Sequence, residues 1–303
     1  MAIGKKILRS KLKQWIKALR VYQWSKNILL FLALFMSHKI LEPQLFIQTV
    51  IAFFSFSLCA SAVYILNDLF DLEADRKHPS KKNRPFASDQ LSVVNGTLVI
   101  PILLLAGYLL AIVFLPKIFT VVLLTYLIVT TSYTLYLKEK LFIDVIILGA
   151  LYTLRVLAGG LAAGIEVSSW LLGFSWFFFL SLAFMKRYTD LLLIKNNNKK
   201  ELIGRGYTVI NLGIVQKAGI TSGIVSLLIL ALYINSEQVI LLYKQPALIW
   251  LAIPILLYWL MRMWLVAYKG KMTDDPIVFA FKDKSSYSAF LIIILILIVA
   301  ANF

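Results

Sequence analysis

The stretch that decides the fold is "FIQTVIAFFSFSLCASAVYILNDLFDLEAD", residues 46–75. Its first two thirds, Phe46–Leu66, are almost wholly apolar, and about 20 such residues in a helix cross a bilayer. Similar runs recur at 21–37, 45–66, 93–115, 118–137, 142–163, 168–187, 213–235, 246–268 and 286–302. With 60% hydrophobic residues and a mean hydropathy of +0.83, the chain lies far above the roughly 45–50% apolar usage of soluble domains. The pattern predicts an all-α integral membrane protein of about nine transmembrane helices, with 1–303 forming a single domain.

The formal charge is +16, and its distribution carries the information. With the N-terminus in the cytoplasm, the outer connections hold only Lys39, Lys117 and Lys244, while nearly all other basic residues fall on the inner side. That asymmetry obeys the positive-inside rule and puts the C-terminus outside, as expected in a bacterial inner membrane. It points to lipid headgroups, not nucleic acid. Residues 1–20 interleave Lys5, Lys6, Arg9, Lys13 and Lys17 with apolar residues at helical spacing, which predicts a basic interfacial helix. The one cysteine, Cys59, and two histidines, His38 and His78, exclude a disulfide framework and a multi-histidine metal site.

After Leu66 the chemistry changes. At about 100° per residue, Asn67, Asp68, Asp71 and Asp75 fall within roughly 100° of arc on one helix face. They sit at a helix C-terminus, where the dipole disfavours further anions, so a cation is expected among them. Magnesium suits oxygen ligands and is commonly shared between one or two carboxylates and substrate phosphates. The four residues therefore read as half of a metal site whose other half is a diphosphate. The following "RKHPSKKNRPFA", 76–87, is a proline-interrupted cationic loop in which Lys82 and Arg84 are candidate phosphate ligands, the arginine through its bidentate fork.

Other polar residues lie at the same predicted membrane level. Arg155 stands near the middle of the fifth run, where a charge implies an acidic partner or an anionic ligand. Asp144, about three turns away, is too distant to pair with Arg155 and is itself a candidate substrate-binding residue. "SYTLYLKEK" contributes Tyr133 and Lys138, and "FMKRYTDLL" contributes Lys186, Arg187, Tyr188 and Asp190. Arg262 reads as structural, and Trp24, Trp170, Trp250 and Trp259 as an aromatic belt. Gly159, Gly160 and Gly164 read as helix-packing positions. "TDDPIVFAFKDKSS", 273–286, offers Asp274, Asp275, Lys282 and Asp283 in a loop able to cover the others.

The ensemble resembles a known pattern. "NDLFDLEAD" followed by the cationic loop is similar to the first Asp-rich motif of the UbiA-like intramembrane prenyltransferase superfamily. "RVYQWSKN" at 20–27, "DVIILGALYTLRVLAGGLAAG" at 144–164, "KRYTDL" at 186–191 and "DPIVFAFKD" at 275–283 resemble its decaprenyl-phosphate 5-phosphoribosyltransferase branch. The resemblance implies nine helices around a central cavity open to the cytoplasm. It also implies a magnesium-dependent reaction in cell-envelope synthesis, in which phosphoribosyl diphosphate (PRPP) gives its phosphoribosyl group to a polyprenyl phosphate. Asn67, Asp68, Asp71 and Asp75 would hold metal and diphosphate, and Lys26, Tyr133, Lys138, Arg155, Lys186 and Arg187 would contact phosphates. One departure matters: where the superfamily carries a second Asp-rich motif, this chain has "KRYTD", with two cations and one acid. Prenyl transfer to an aromatic or other small acceptor is the alternative. A transporter is a further one, unsupported by any internal repeat or paired broken helices.

Overall fold

The computed structural model describes residues 11–77, 81–202, 204–272 and 275–302. The first ten residues of the interfacial segment, His78 and Asp274 lie outside them. The hydrophobic runs become α1 (Val21–Met36), α2 (Pro43–Phe70), α3 (Val93–Phe114), α4 (Lys117–Leu135), α5 (Ile143–Ala162), α6 (Ser169–Asn196), α7 (Val209–Ile234), α8 (Pro246–Tyr268) and α9 (Lys284–Asn302). Of these, α2 to α9 are long and apolar enough to cross a bilayer. No strand occurs among the described residues beyond the isolated bridge Glu201–Thr208.

The first predicted span differs from expectation. It is a 3₁₀ helix over Val21–Phe31 and turns α-helical only over Leu32–Met36. A 3₁₀ helix rises about 2.0 Å per residue against about 1.5 Å in an α-helix, so this short element still reaches roughly 30 Å. Ahead of it, 11–18 is helical but packs on protein as well as offering a surface. Ala18 is buried with Ile65, Phe86 and Leu91, Trp15 meets Phe86 edge-on, and Lys17 Nζ donates to Asn83 O at 2.6 Å.

Two apolar clusters fill the bundle. One gathers side chains of α5, α6, α7 and α8 around Met185, Trp259 and Met263, and the other joins α1 to α5 around Phe56, Phe119 and Leu123. Apolar burial drives no association where lipid is the competitor, so small residues and hydroxyls take over the joining of helices. Ser55 Oγ donates to Gly107 O at 2.8 Å, Asn27 Nδ2 to Ser57 Oγ at 2.8 Å, and Trp264 Nε1 to Ser181 Oγ at 3.2 Å. At Gly159 an added Cβ would stand 1.9 Å from Leu30 O, so only glycine lets α5 cross α1 here. Gly164 is not a packing position: its φ is +65° with open space around it, the left-handed turn after α5. Trp259 leaves the predicted belt too, being 2% exposed, stacked on Phe178 and bonded to Ser286 Oγ at 2.9 Å. Trp170 and Trp250 are 37% and 45% exposed, as a belt requires.

Helices α2 and α6 outrun their predicted ends, to Phe70 and Asn196. The longer α6 carries the whole "KRYTD" segment, whereas α2 carries only Asn67 and Asp68 of the acidic residues. At one charged end of the bundle Asp71 pairs with Lys138 and Tyr207 accepts from Phe142 N, Arg205 and Tyr207 bond to α4 and α5, and Asp275 bonds to α1 and α6.

Candidate active site

The acidic cluster is less continuous than its spacing implies. Helix α2 stops at Phe70, with Asp71 as its C-cap, and a short helix restarts at Leu72–Lys77. That break turns the residues toward different partners. Asp68 and Asp75, 3% and 2% exposed, converge on one atom: Arg84 Nη1 lies 3.0 Å from Asp68 Oδ1 and 2.6 Å from Asp75 Oδ2. Arg20 Nη2 also donates to Asp68 Oδ1, at 2.5 Å, and Lys81 Nζ stands 3.9 Å from Asp75. Asp71 instead faces Lys138 Nζ at 3.6 Å. Asn67 is half-buried and Lys82 exposed. The four-residue face thus becomes a buried pair plus a flanking carboxylate.

A second group lies on α1, α5 and α6. Asp275 Oδ2 accepts from Lys26 Nζ at 3.1 Å and Lys186 Nζ at 3.2 Å, with Tyr152 Oη at 3.5 Å. Its Oδ1 caps the helix Pro276–Ala280 by accepting from Ile277 N at 3.1 Å. Burial pushes this carboxyl up, but the two ammonium groups outweigh burial and hold it well below the ordinary carboxylate range.

Arg155 is 5% exposed, and its partners are neutral. Nε donates to Asn27 Oδ1 at 3.0 Å, Nη1 to Leu151 O at 2.6 Å and Nη2 to Tyr126 Oη at 3.1 Å. The guanidinium also lies over the rings of Tyr126, Tyr152 and Phe56, 5.0, 5.3 and 5.5 Å from their centroids. Hydrogen bonds and ring faces offset part of its desolvation, yet among the described residues no carboxylate forms an ion pair with it.

Asp144 and Arg187 make a third group, built to hold a loop. Asp144 Oδ2 is 2.6 Å from Arg187 Nη2, and Oδ1 accepts from Tyr207 Oη at 2.5 Å. Tyr207 in turn accepts from Phe142 N at 3.0 Å. Burial, then the bond to Asp144, push the Tyr207 phenol upward. Arg187 Nη1 also bonds Asp190 at 2.8 Å, while Arg205 donates to Tyr133 Oη at 2.6 Å and lies over its ring. At Gly206 a Cβ would stand 2.4 Å from Glu139 O, so the loop seats tightly against 136–142. Tyr188, expected beside the phosphates, is instead 1% exposed and packed edge-on to Trp264. On a helix it points away from Lys186 and Arg187, its immediate neighbours. Arg262 forms a two-pronged pair with Asp283, at 2.7 and 2.8 Å, the structural role expected of it.

Arg20, Arg205 and Tyr207 were not singled out in the sequence. Their partners are 48 to 72 positions distant, beyond any local pattern.

The sequence matches the UbiA prenyltransferase family over residues 28–300. The chain belongs to this family. The uncharacterized protein y4nM of Sinorhizobium fredii is 38% identical over 91% of the chain and 53% of its own length. The nodulation protein NoeC of Azorhizobium caulinodans is 33% identical over 90% and 88%. The decaprenyl-phosphate phosphoribosyltransferase of Corynebacterium glutamicum is 37% identical over 61% and 57%, so the chain spans little more than half of that enzyme and of y4nM. A UbiA homolog from Archaeoglobus fulgidus bound to GPP and Mg2+ shares the fold, with a TM-score of 0.69 and 15% identity over 96% of this chain and 100% of that one. The UbiA fold and membership agree with the expected all-helical membrane architecture.

Among the described residues no group of three or more His, Cys, Asp and Glu side chains could hold a metal ion. A magnesium ion shared with a diphosphate needs fewer: one or two carboxylates suffice. Asp68 and Asp75, whose oxygens already meet at a single cationic nitrogen, fit that requirement. Asp71 pairs with Lys138 beside them.

Proposed function

We propose that this UbiA-family transferase moves the 5-phosphoribosyl group of PRPP to a polyprenyl phosphate, releasing diphosphate. The observation that carries the reading is surplus buried positive charge. Lys26 and the half-buried Lys186 share one carboxylate, Asp275, and the buried Arg155 has only neutral partners, where the superfamily resemblance leads one to expect a second acidic motif. Buried cations are retained when an anion pairs with them. A neutral aromatic acceptor would leave them uncompensated, whereas an acceptor that is itself a phosphate would not. The 37% identity to the Corynebacterium enzyme supports the same choice.

The site works by positioning and by screening charge. Asp68 and Asp75 would hold the magnesium that neutralises the diphosphate as it leaves. Arg84 and Lys81 lie at that position, with Lys138 on the neighbouring Asp71, to meet its remaining charge. The attacking oxygen of a phosphate monoester is anionic at neutral pH, since its second ionisation lies near pH 6. No side chain has to remove a proton from it. In-line attack opposite the leaving diphosphate inverts the configuration at the ribosyl C1. The charged end faces the cytoplasm of a bacterial inner membrane, where the positive-inside rule places it.

Purified protein given magnesium, labelled PRPP and polyprenyl phosphate tests the reading by lipid extraction. Label in the lipid fraction supports it. Consumption of a prenyl diphosphate with an aromatic acceptor, and none of PRPP, would replace it with ordinary prenyl transfer.

A further inference from the structure

Asp275 holds a place that suits a different anion. One of its oxygens is shared by two ammonium groups and approached by the Tyr152 hydroxyl, so a single negative charge serves two cations. Arg155 lies over the ring of the same tyrosine, 5.3 Å from its centroid. A phosphate monoester carries about −1.5 to −2 at pH 7 and three acceptor oxygens, and would match this group better than a carboxylate does. The wall beside it is apolar, formed by Leu148, Leu182, Ala183 and Ile277, the surface a prenyl chain needs next to its headgroup. The cavity there measures only about 10 Å³. That is at the lower limit for one water and too small for a phosphate. An anion that takes the place of Asp275 Oδ2 between the two ammonium groups must therefore displace the carboxylate.

We propose that Lys26 and Lys186 form the subsite for the acceptor's phosphate, and that Asp275 is a resident stand-in which that phosphate displaces, freeing the helix Pro276–Ala280 it caps. The inference rests on the proposed acceptor being a lipid phosphate. Its consequence is direct competition: Asp275 weakens acceptor binding in the resting protein and keeps the lysine pair from being left unpaired.

Binding of geranyl phosphate to the detergent-purified protein, with geraniol as the uncharged control, tests this without turnover. Removing the competitor in Asp275→Asn should tighten geranyl phosphate binding about tenfold or more and leave geraniol unaffected, while Lys26→Met abolishes the gain. Unchanged or weaker binding in folded Asp275→Asn overturns the proposal. Should that variant not fold, hydrogen exchange on the wild type decides. Geranyl phosphate should speed exchange at amides 277–280 where geraniol does not, and unchanged or slower exchange overturns displacement. Failure of the broader functional reading appears elsewhere, as absence of ribosylated lipid from the wild type.

Discussion

Replacing Asp144 with alanine separates two roles that its sequence position leaves open, phosphate contact and internal anchor. Its carboxylate is fully buried, 2.6 Å from Arg187 and 2.5 Å from the Tyr207 hydroxyl. Without it, a guanidinium that is 2% exposed keeps only Asp190 as a charged partner, and the phenol loses its acceptor. Breaking a buried ion pair from one side costs about 3–5 kcal/mol. The phenol's loss of about 1–3 kcal/mol belongs to the same network and does not simply add. With an unfolding entropy of about 2.1 cal/mol/K per residue, a chain of 303 residues loses roughly 1.6 °C per kcal/mol. Asp144→Ala should therefore lower the Tm in detergent by roughly 5–8 °C, and Asp144→Asn, which keeps an acceptor for Tyr207, by less. A Tm within about 1 °C of wild type, with turnover lost, would refute the anchor and return Asp144 to the substrate.

The remaining tests bear on the charged end. Asp75→Asn keeps the shape of the pair but removes one charge, and kcat at saturating magnesium should fall about 100-fold or more without loss of folded protein; wild-type kcat would remove Asp75 from the reaction. Arg155→Met replaces a buried, uncompensated cation with an apolar side chain of similar length, so thermal stability should hold or rise while kcat/KM falls at least about tenfold; a large drop in Tm with normal kinetics would make Arg155 a packing residue. Asp275 has a carboxyl pKa depressed in the fold, so its stabilising contribution is complete above the unfolded value of about 3.9 and is lost as pH falls through the folded one. The stability gap between wild type and Asp275→Asn, followed by thermal unfolding, should be flat from about pH 5 to 9 and narrow only below about pH 4; a gap that narrows between pH 6 and 8 would contradict the ion triad.

What the sequence made legible was whatever depends on local composition. Runs of apolar residues located α2 to α9, because bilayer thickness imposes a length that hydropathy detects. The same rule could not distinguish the 3₁₀ form of Val21–Phe31, since the hydropathy of a run counts its apolar residues and does not read their period. Spacing on one ideal helix brought Asn67, Asp68, Asp71 and Asp75 together; past the break at Asp71, Asp68 and Asp75 still share Arg84 while Asp71 turns to Lys138. That break is decided by tertiary partners, Arg84 for Asp68 and Asp75 and Lys138 for Asp71. Arg155 was visible as a charge out of place, yet its neutral partners Asn27 and Tyr126 lie on other helices. Asp275 stood out only as one acid in a mixed-charge loop. Its meaning comes from Lys26, 249 positions earlier.

The most direct test of the central claim is the fate of labelled PRPP with purified protein, magnesium and a polyprenyl phosphate. The account predicts label in the extracted lipid, one diphosphate released per ribosyl group transferred, and no transfer when the acceptor is the free polyprenol. Label that stays in the aqueous phase, while a prenyl diphosphate is consumed with a neutral acceptor, would contradict it.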